Sequence, residues 1–499
     1  FFSFLRILTS SKMIFMEMDL ITRRQFIKKT GLATGALLFS GSLMSGKKYK
    51  KEKRPNVIFV FADQWRAQDT GFGGNKDVYT PNLDLLAKES LTFNNAVSCM
   101  PVSTPYRASL LTGQYAQTHG LFVNDVQLNP EAKSIGKEYK AAGYNTAYIG
   151  KWHINGNGRS NYIAPEYRQG FDYFKVLECT HDYNNSPYYD NNDTTKKIWE
   201  GYDVFAQTKD AQQYITDHAN DDKPFLLFLS WGPPHNPYES APQKYKDLYA
   251  NKDIALRPNV PEKNKETAIK DIKGYYAHIS ALDECIGWLQ ETIKEKGIEE
   301  NTIFVFTSDH GDMLYSQGQV RKQKPYDESI MVPLLLKYPD RFGKKGRIVD
   351  TLVNVVDIMP TLLSMSGLPI PKSVEGCNLY PILMGKQKDN IEGALIECIT
   401  PFGEWERRSG GREYRGVRTK RYTYVKDLNG PWLLFDNITD PYQMQNLVNE
   451  PSAQKVKSEL DGLLTKLLIQ KKDEFLPGEE YIKKWGYTVN KWGTVEYTP

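Results

Sequence analysis

The chain has 499 residues, 40% hydrophobic and 12% aromatic, with 64 Lys and Arg against 60 Asp and Glu for a net charge of +4. This composition excludes an intrinsically disordered chain, and so small a net charge gives no ground for a nucleic-acid partner, although a local basic pocket stays compatible with an anionic ligand. The five cysteines, Cys99, Cys179, Cys285, Cys377 and Cys398, are odd in number and form no C-x-x-C pair, so they set no disulfide framework and read as small buried hydrophobes.

In chain order the first feature is "TRRQFIKKTGLATGALLFSGSLMSG", in which Arg23 and Arg24 precede an apolar run from Gly31 to Met44. That layout predicts a twin-arginine export signal and hence a periplasmic or exported protein, and the run is too short to span a bilayer comfortably. Residues 1–50 are therefore expected to be an N-terminal extension and signal, with residues 1–12 upstream of a start at Met13, Met16 or Met18.

Four apolar runs then end abruptly in polar residues: "NVIFVFADQW" at Asp63 and Gln64, "NTAYIGKWH" at Lys151 and His153, "KPFLLFLSWGPPH" at His235, and "NTIFVFTSDHGD" at Asp309 and His310. Continuous apolar runs suit strands buried on both faces, and helical patterns such as "TPNLDLLAKES", "SIGKEYKAAG" and "GYYAHISALDECIGWLQETIKEKG" alternate with them. The expected fold is α/β, with a large mixed, mostly parallel central sheet sandwiched by helices. Ligand sites of such sheets lie beyond the carboxyl ends of the strands, so the four polar clusters are expected to share one edge.

Polar, aromatic-rich stretches over 155–200 read as loops above that edge, with "HDYNNSPYYD", beginning at His181, suited to stacking on a sugar. Arg407, Arg408 and Arg412 are candidates for further anionic groups on a substrate. Beyond "PILMGKQKDN" the segment "REYRGVRTKRYTYVKDLNGPWLLFDNITDP" alternates with period two around an Asn-Gly turn, which predicts an antiparallel hairpin. Residues 54–385 are thus expected to form a catalytic domain and 386–499 a smaller C-terminal α+β subdomain containing an antiparallel sheet.

The stretch "SCMPVSTPYRASLLTG" offers Cys99 and Ser103 as nucleophiles. The thiol is intrinsically better. Counting from Ser103, however, places Pro105 at the third position, Arg107 at the fifth, Leu110 at the eighth and Gly113 at the eleventh, and this resembles the sulfatase signature, whose first Cys or Ser is converted to formylglycine. The register from Cys99 puts Ser103 where the family has Arg. The resemblance continues in order through the Asp63 strand end, "GKWH", "PPH", "TSDHG" and "KQKPYDESIMVP", and identifies the chain as similar to Ser-type sulfatases of the alkaline phosphatase superfamily. Independently, Pro105 suits the first turn of a helix, which would set Ser103 at a helix N-terminus where an anion is favoured.

The resemblance implies sulfuric ester hydrolysis by an aldehyde hydrate at position 103, one hydroxyl attacking sulfur and the other later expelling sulfate. An ordinary serine would stop at a stable ester. It also implies one divalent cation on Asp63, Gln64, Asp309, His310 and the residue at 103. The family commonly has Asp and Asn where this chain has Gln64 and His310. A mostly oxygen donor set favours Ca²⁺, and the imidazole keeps Mg²⁺ or Mn²⁺ open. His153 is the implied base with Lys151 beside it, and His235 with Lys322 would bind sulfate and protonate the leaving oxygen, Lys324 being the alternative lysine. A sulfated carbohydrate is the expected substrate, and a radical maturase able to oxidise Ser is the expected partner. The rivals are a phosphonate monoester or phosphodiester hydrolase of the same superfamily, and a silent anion- or glycan-binding protein if Ser103 is unmodified.

Overall fold

The computed structural model describes residues 53–497, so the twin-arginine stretch lies outside the described residues. In chain order the strands of the main body are β1 (Asn56–Asp63), β2 (Leu91–Phe93), β3 (Ala96–Val97), β4 (Asn145–Lys151), β5 (Tyr173–Leu177), β6 (Pro187–Asp190), β7 (Asp193–Ile198), β8 (Phe225–Pro234), β9 (Thr302–Ser308), β10 (Leu334–Lys337), β11 (Arg347–Val349) and β12 (Val353–Asn354). Ten of them form one sheet in the order β11-β2-β10-β9-β1-β8-β4-β5-β6-β7, and β12 pairs with β3 separately. The central run from β9 to β5 is parallel throughout. Antiparallel pairings enter at both flanks, through β10 on one side and β6 and β7 on the other.

The parallel centre follows from the apolar runs. Every residue of β1, β8 and β9 is buried, which requires helices on both faces of the sheet. Alternation along β1 divides the core: Val57, Phe59 and Phe61 join one cluster, and Ile58, Val60 and Ala62 join the other. Phe59 stacks on Phe228 of β8 with centroids 4.8 Å apart, while the opposite face packs Tyr275, Ile279, Leu282 and Ile286 of the helix Lys265–Glu295. Each large apolar side chain so buried stabilises the fold by roughly 1.5–3 kcal/mol.

The helix Ser103–Thr112 begins where the sequence places it. Val102 is extended at φ −149°, Pro105 occupies the first turn, and Gly113 closes the helix in the left-handed conformation at φ 66° with its N–H on the Ser109 carbonyl. Buried on all sides, this helix sets the nucleophile candidate against the sheet rather than in solvent.

A second, wholly antiparallel sheet carries β13 (Ala394–Cys398), β14 (Tyr414–Arg418), β15 (Tyr422–Asp427) and β16 (Gly430–Asp436). The predicted hairpin is β15–β16, and Gly430 supplies the positive φ of 119° that the turn needs. Arg415 of β14 is fully buried and grips Asp473 through Nε and Nη2, with Nη1 on the carbonyls of Cys398 and Tyr414 at 3.1 and 3.0 Å. Glu397 lies 3.9 Å away, and Gln117 donates to both carboxylates. Burial pushes the Glu397 carboxyl up to about 7, against the pull of Arg415.

Arg415→Met strands two buried carboxylates without their countercharge and is expected to destabilise the protein by about 3–5 kcal/mol. Urea unfolding at neutral pH measures this, and an unchanged midpoint would contradict the role given to Arg415.

Candidate active site

The parallel register brings the polar strand ends level: Ala62 pairs with Ser308, Asp63 with Pro234, and Gly150 with Ser230. The chain turns immediately beyond them. Gln64 and His153 take left-handed backbone at φ 72° and 59°, a conformation that costs about 1–3 kcal/mol for such residues and persists where the surroundings enforce it. Tyr275 Oη donates to the Gln64 carbonyl at 2.7 Å and Thr104 Oγ1 to the His153 carbonyl at 2.7 Å. His235 sits between two cis peptide bonds, Pro233–Pro234 and Asn236–Pro237.

Asp63 is the centre. Its Oδ2 accepts from Ser103 Oγ at 3.0 Å, Lys151 Nζ at 2.7 Å and Arg107 Nη2 at 3.2 Å. Arg107 Nη2 also reaches Asp309 Oδ2 at 3.4 Å, and its Nη1 donates to Ser230 Oγ at 2.6 Å and the Lys151 carbonyl at 2.8 Å. His310 Nε2 stands 3.3 Å from Ser103 Oγ, 3.6 Å from Asp63 Oδ1 and 3.5 Å from Asp309 Oδ1. Its Nδ1 lies 2.9 Å from the Gly311 carbonyl, an acceptor, so the proton belongs on Nδ1 and Nε2 keeps its lone pair.

Burial alone would raise the Asp63 carboxyl, but Lys151, with His235, Lys322 and His310, holds it well below the usual range. Asp309 behaves oppositely: burial and then the neighbouring Asp63 charge push it up to about 7. Burial, followed by Lys322, lowers His310.

The donor set fits a divalent cation. Asp63, Asp309 and His310 offer ligand atoms that all lie within 4.8 Å of one another. Asp63 Oδ1 and Gln64 Oε1 are buried and take no hydrogen bond from the described residues. Two adjacent carboxylates, an amide oxygen and one imidazole suit a hard or borderline cation that would neutralise the pair.

Across the site, Lys322 Nζ lies 2.9 Å from His235 Nε2, and His235 Nδ1 lies 2.9 Å from the Asn236 carbonyl. The same reasoning puts the His235 proton on Nδ1, so Lys322 donates. Burial and then Lys322 hold His235 well below its ordinary value, and burial lowers Lys322 itself. Lys324 points elsewhere, its Nζ on the Val320 carbonyl at 2.7 Å and 5.7 Å from the Trp405 ring. Half-buried His181 stacks on His235, centroids 4.5 Å apart and planes 4° from parallel.

Neither ring nitrogen of His153 has a hydrogen-bond partner among the described residues, but Nε2 is 3.5 Å from Asp125 Oδ1. Arg159 clamps Asp125 with two contacts of 2.8 Å. Exposed Arg407 pairs with Glu413 and Glu479, Arg412 with Asp427 at 2.9 Å, and Arg408 is exposed. Buried Cys99 is a poor nucleophile, since burial and then Glu397 push its thiol well up.

Sequence reasoning did not single out Asp125, Arg159, Ser230 or Asp312. Ser230 and Asp312 lie inside runs already marked as strand ends, whereas "FVNDVQ" around Asp125 carries no local signal.

A family model described as sulfatase matches residues 55–368, and one described as N-sulphoglucosamine sulphohydrolase, C-terminal, matches 317–470. The chain is 44% identical to an ulvan-active sulfatase of Formosa agariphila, covering 93% of this chain and 92% of that one. It is 31% identical to an endo-4-O-sulfatase of Bacteroides thetaiotaomicron, over 83% and 92% of the two chains. A Bacteroides thetaiotaomicron structure solved in work on the metabolism of multiple glycosaminoglycans superposes with a TM-score of 0.77 at 28% identity, covering 87% and 99%.

Lys322→Met removes the charge beside His235 and is expected to raise the His235 pKa, read from ring signals in a pH titration of ¹⁵N-histidine-labelled protein. No upward movement would remove the assigned coupling.

Proposed function

The chain belongs to the sulfatase family, and on that premise we propose that it removes sulfate from a sulfated carbohydrate, using a formylglycine made from Ser103 and one divalent cation. The observation that carries the reading is the convergence of Ser103, Lys151 and Arg107 on one oxygen of Asp63, whose charge the Lys322–His235 pair also feels. Support for a carbohydrate comes from the relatives, one named as ulvan-active.

Asp63, Gln64, Asp309, His310 and the side chain at 103 would hold the cation, Ca²⁺ being favoured over Mg²⁺ or Mn²⁺ by the oxygen-rich set. When bound, it lowers the pKa of a hydroxyl beside it and stabilises negative charge developing on sulfate oxygens. Arg107 and Lys151 supply fixed positive charge at the same place, and their contacts with Asp63 and the sheet carbonyl keep them from reorienting during reaction.

Lys322 is the proton-bearing member of its pair, because His235 Nδ1–H is spent on a carbonyl and Nε2 accepts from the lysine; Lys322 therefore meets the sulfate and donates to the leaving alcohol oxygen, and His235 orients it. Burial lowers His153 and leaves it neutral, fit to take the proton whose removal regenerates the aldehyde at 103. His181, extending the His235 stack, offers a flat face to a sugar ring. Arg407 and Arg408 would reach only peripheral anionic groups.

The same proposal covers maturation and location. A serine at this position calls for a maturase that oxidises Ser, a radical enzyme by expectation, acting in the cytoplasm before export through the twin-arginine-like signal to the periplasm.

Peptide mass spectrometry of protein from its native host should find residue 103 lighter by about two mass units, the loss of two hydrogens. Ser103→Ala should abolish turnover of an aryl sulfate with the circular dichroism spectrum unchanged. An unmodified, inactive protein would favour an anion- or glycan-binding role, and faster cleavage of a phenyl phosphonate than of the aryl sulfate would favour the phosphonate hydrolase.

A further inference from the structure

Asp312 lies outside the donor set but is fully buried beside it, and its two oxygens accept four hydrogen bonds. Gln64 Nε2 donates to Oδ2 at 2.8 Å, and Tyr238 Oη donates to the same oxygen. The backbone N–H groups of Leu314 and Arg321 donate to Oδ1 at 3.0 and 2.9 Å. Arg321 turns back over Tyr238, its guanidinium carbon 5.0 Å from the ring centroid and Nη1 on the hydroxyl.

The two ends of a glutamine amide have almost the same shape, so partners decide which way it points. A carboxylate can only accept. With Asp312 on one side, the Gln64 NH₂ must turn toward it, which leaves Oε1 at the other end, buried and without a partner among the described residues. Gln64 itself is held at φ 72° with its N–H on Asp309 Oδ1 at 3.0 Å, so the backbone cannot swing to relieve that oxygen.

We propose that Asp312 is a positioning residue that locks the Gln64 amide with Oε1 toward the cation and ties the cation site to the loop ahead of Lys322. The inference rests on the reading that Asp63, Gln64, Asp309 and His310 hold a divalent cation. Where an acidic residue at position 64 would carry its charge on the ligand, this chain has the charge one hydrogen bond further out, polarising the amide and making its oxygen a better donor to the cation. The same carboxylate holds the N–H of Arg321, the neighbour of Lys322, so the two halves of the site share one anchor.

The test is calorimetric titration of Ca²⁺ into chelator-treated full-length protein and its variants. Asp312→Asn frees the amide to flip and should weaken Ca²⁺ binding about ten- to hundredfold. Gln64→Glu should also weaken it, despite the added ligand charge, because a carboxylate would then face Asp312. The double variant Gln64→Glu with Asp312→Asn should recover affinity, since the amide introduced at 312 can donate to one oxygen of the carboxylate introduced at 64 and release the other. Unchanged affinity in Asp312→Asn, or Ca²⁺ bound by Gln64→Glu as tightly as by the parent, overturns the proposal, and the latter result needs no variant of Asp312 to fold. Failure of the parent protein to bind Ca²⁺, Mg²⁺ or Mn²⁺ would instead overturn the metal reading itself.

Discussion

One buried carboxylate organises the site. Asp63 ends the central strand with no exposure, and an ion of that kind costs several kcal/mol to take out of water unless charges and hydrogen bonds replace its hydration. Lys151, Arg107 and Ser103 do so on Oδ2, the lysine from the end of a strand and the other two from one helix. That single requirement aligns the end of β4, the first turns of the helix Ser103–Thr112 and the end of β1. Oδ1, without a hydrogen bond among the described residues, faces His310.

Electrostatics then separates two neighbouring acids. Asp63 is surrounded by cations and stays ionised, whereas Asp309, with a like charge beside it, rises to about 7. Backbone carbonyls likewise fix the protons of His310 and His235 on Nδ1, which leaves the lone pair of each Nε2 for the side chains of the site. The left-handed backbone at Gln64 and His153 belongs to the same design: the chain leaves each strand by the tightest available route, and Tyr275 and Thr104 hold the carbonyls that result.

Much of this was legible in sequence. The apolar runs predicted β1, β4, β8 and β9 and their shared carboxyl edge, because strands buried on both faces have no polar alternation to blur them. Pro105 marked the start of the helix, and the resemblance to the sulfatase signature, with Arg107 in the fifth position, chose Ser103 over Cys99. Asn429 and Gly430 marked the hairpin. What escaped were residues whose roles depend on a partner far along the chain: Asp125 against His153 and Arg159, Ser230 against Arg107, and Asp312 against Gln64, 248 positions away. Composition near Arg407 suggested an anion site, but its guanidinium is engaged by Glu413 and Glu479.

Local pattern alone therefore settled the kind of sheet, the ends at which chemistry collects and the residue that begins the helix, since each is written in short-range periodicity and turn chemistry. The tertiary structure decided which lysine of Lys322 and Lys324 meets His235, which oxygen of Asp63 is shared, and which way the Gln64 amide points. Those outcomes depend on hydrogen-bond partners converging from separate strands, and a local pattern carries no record of what it will meet.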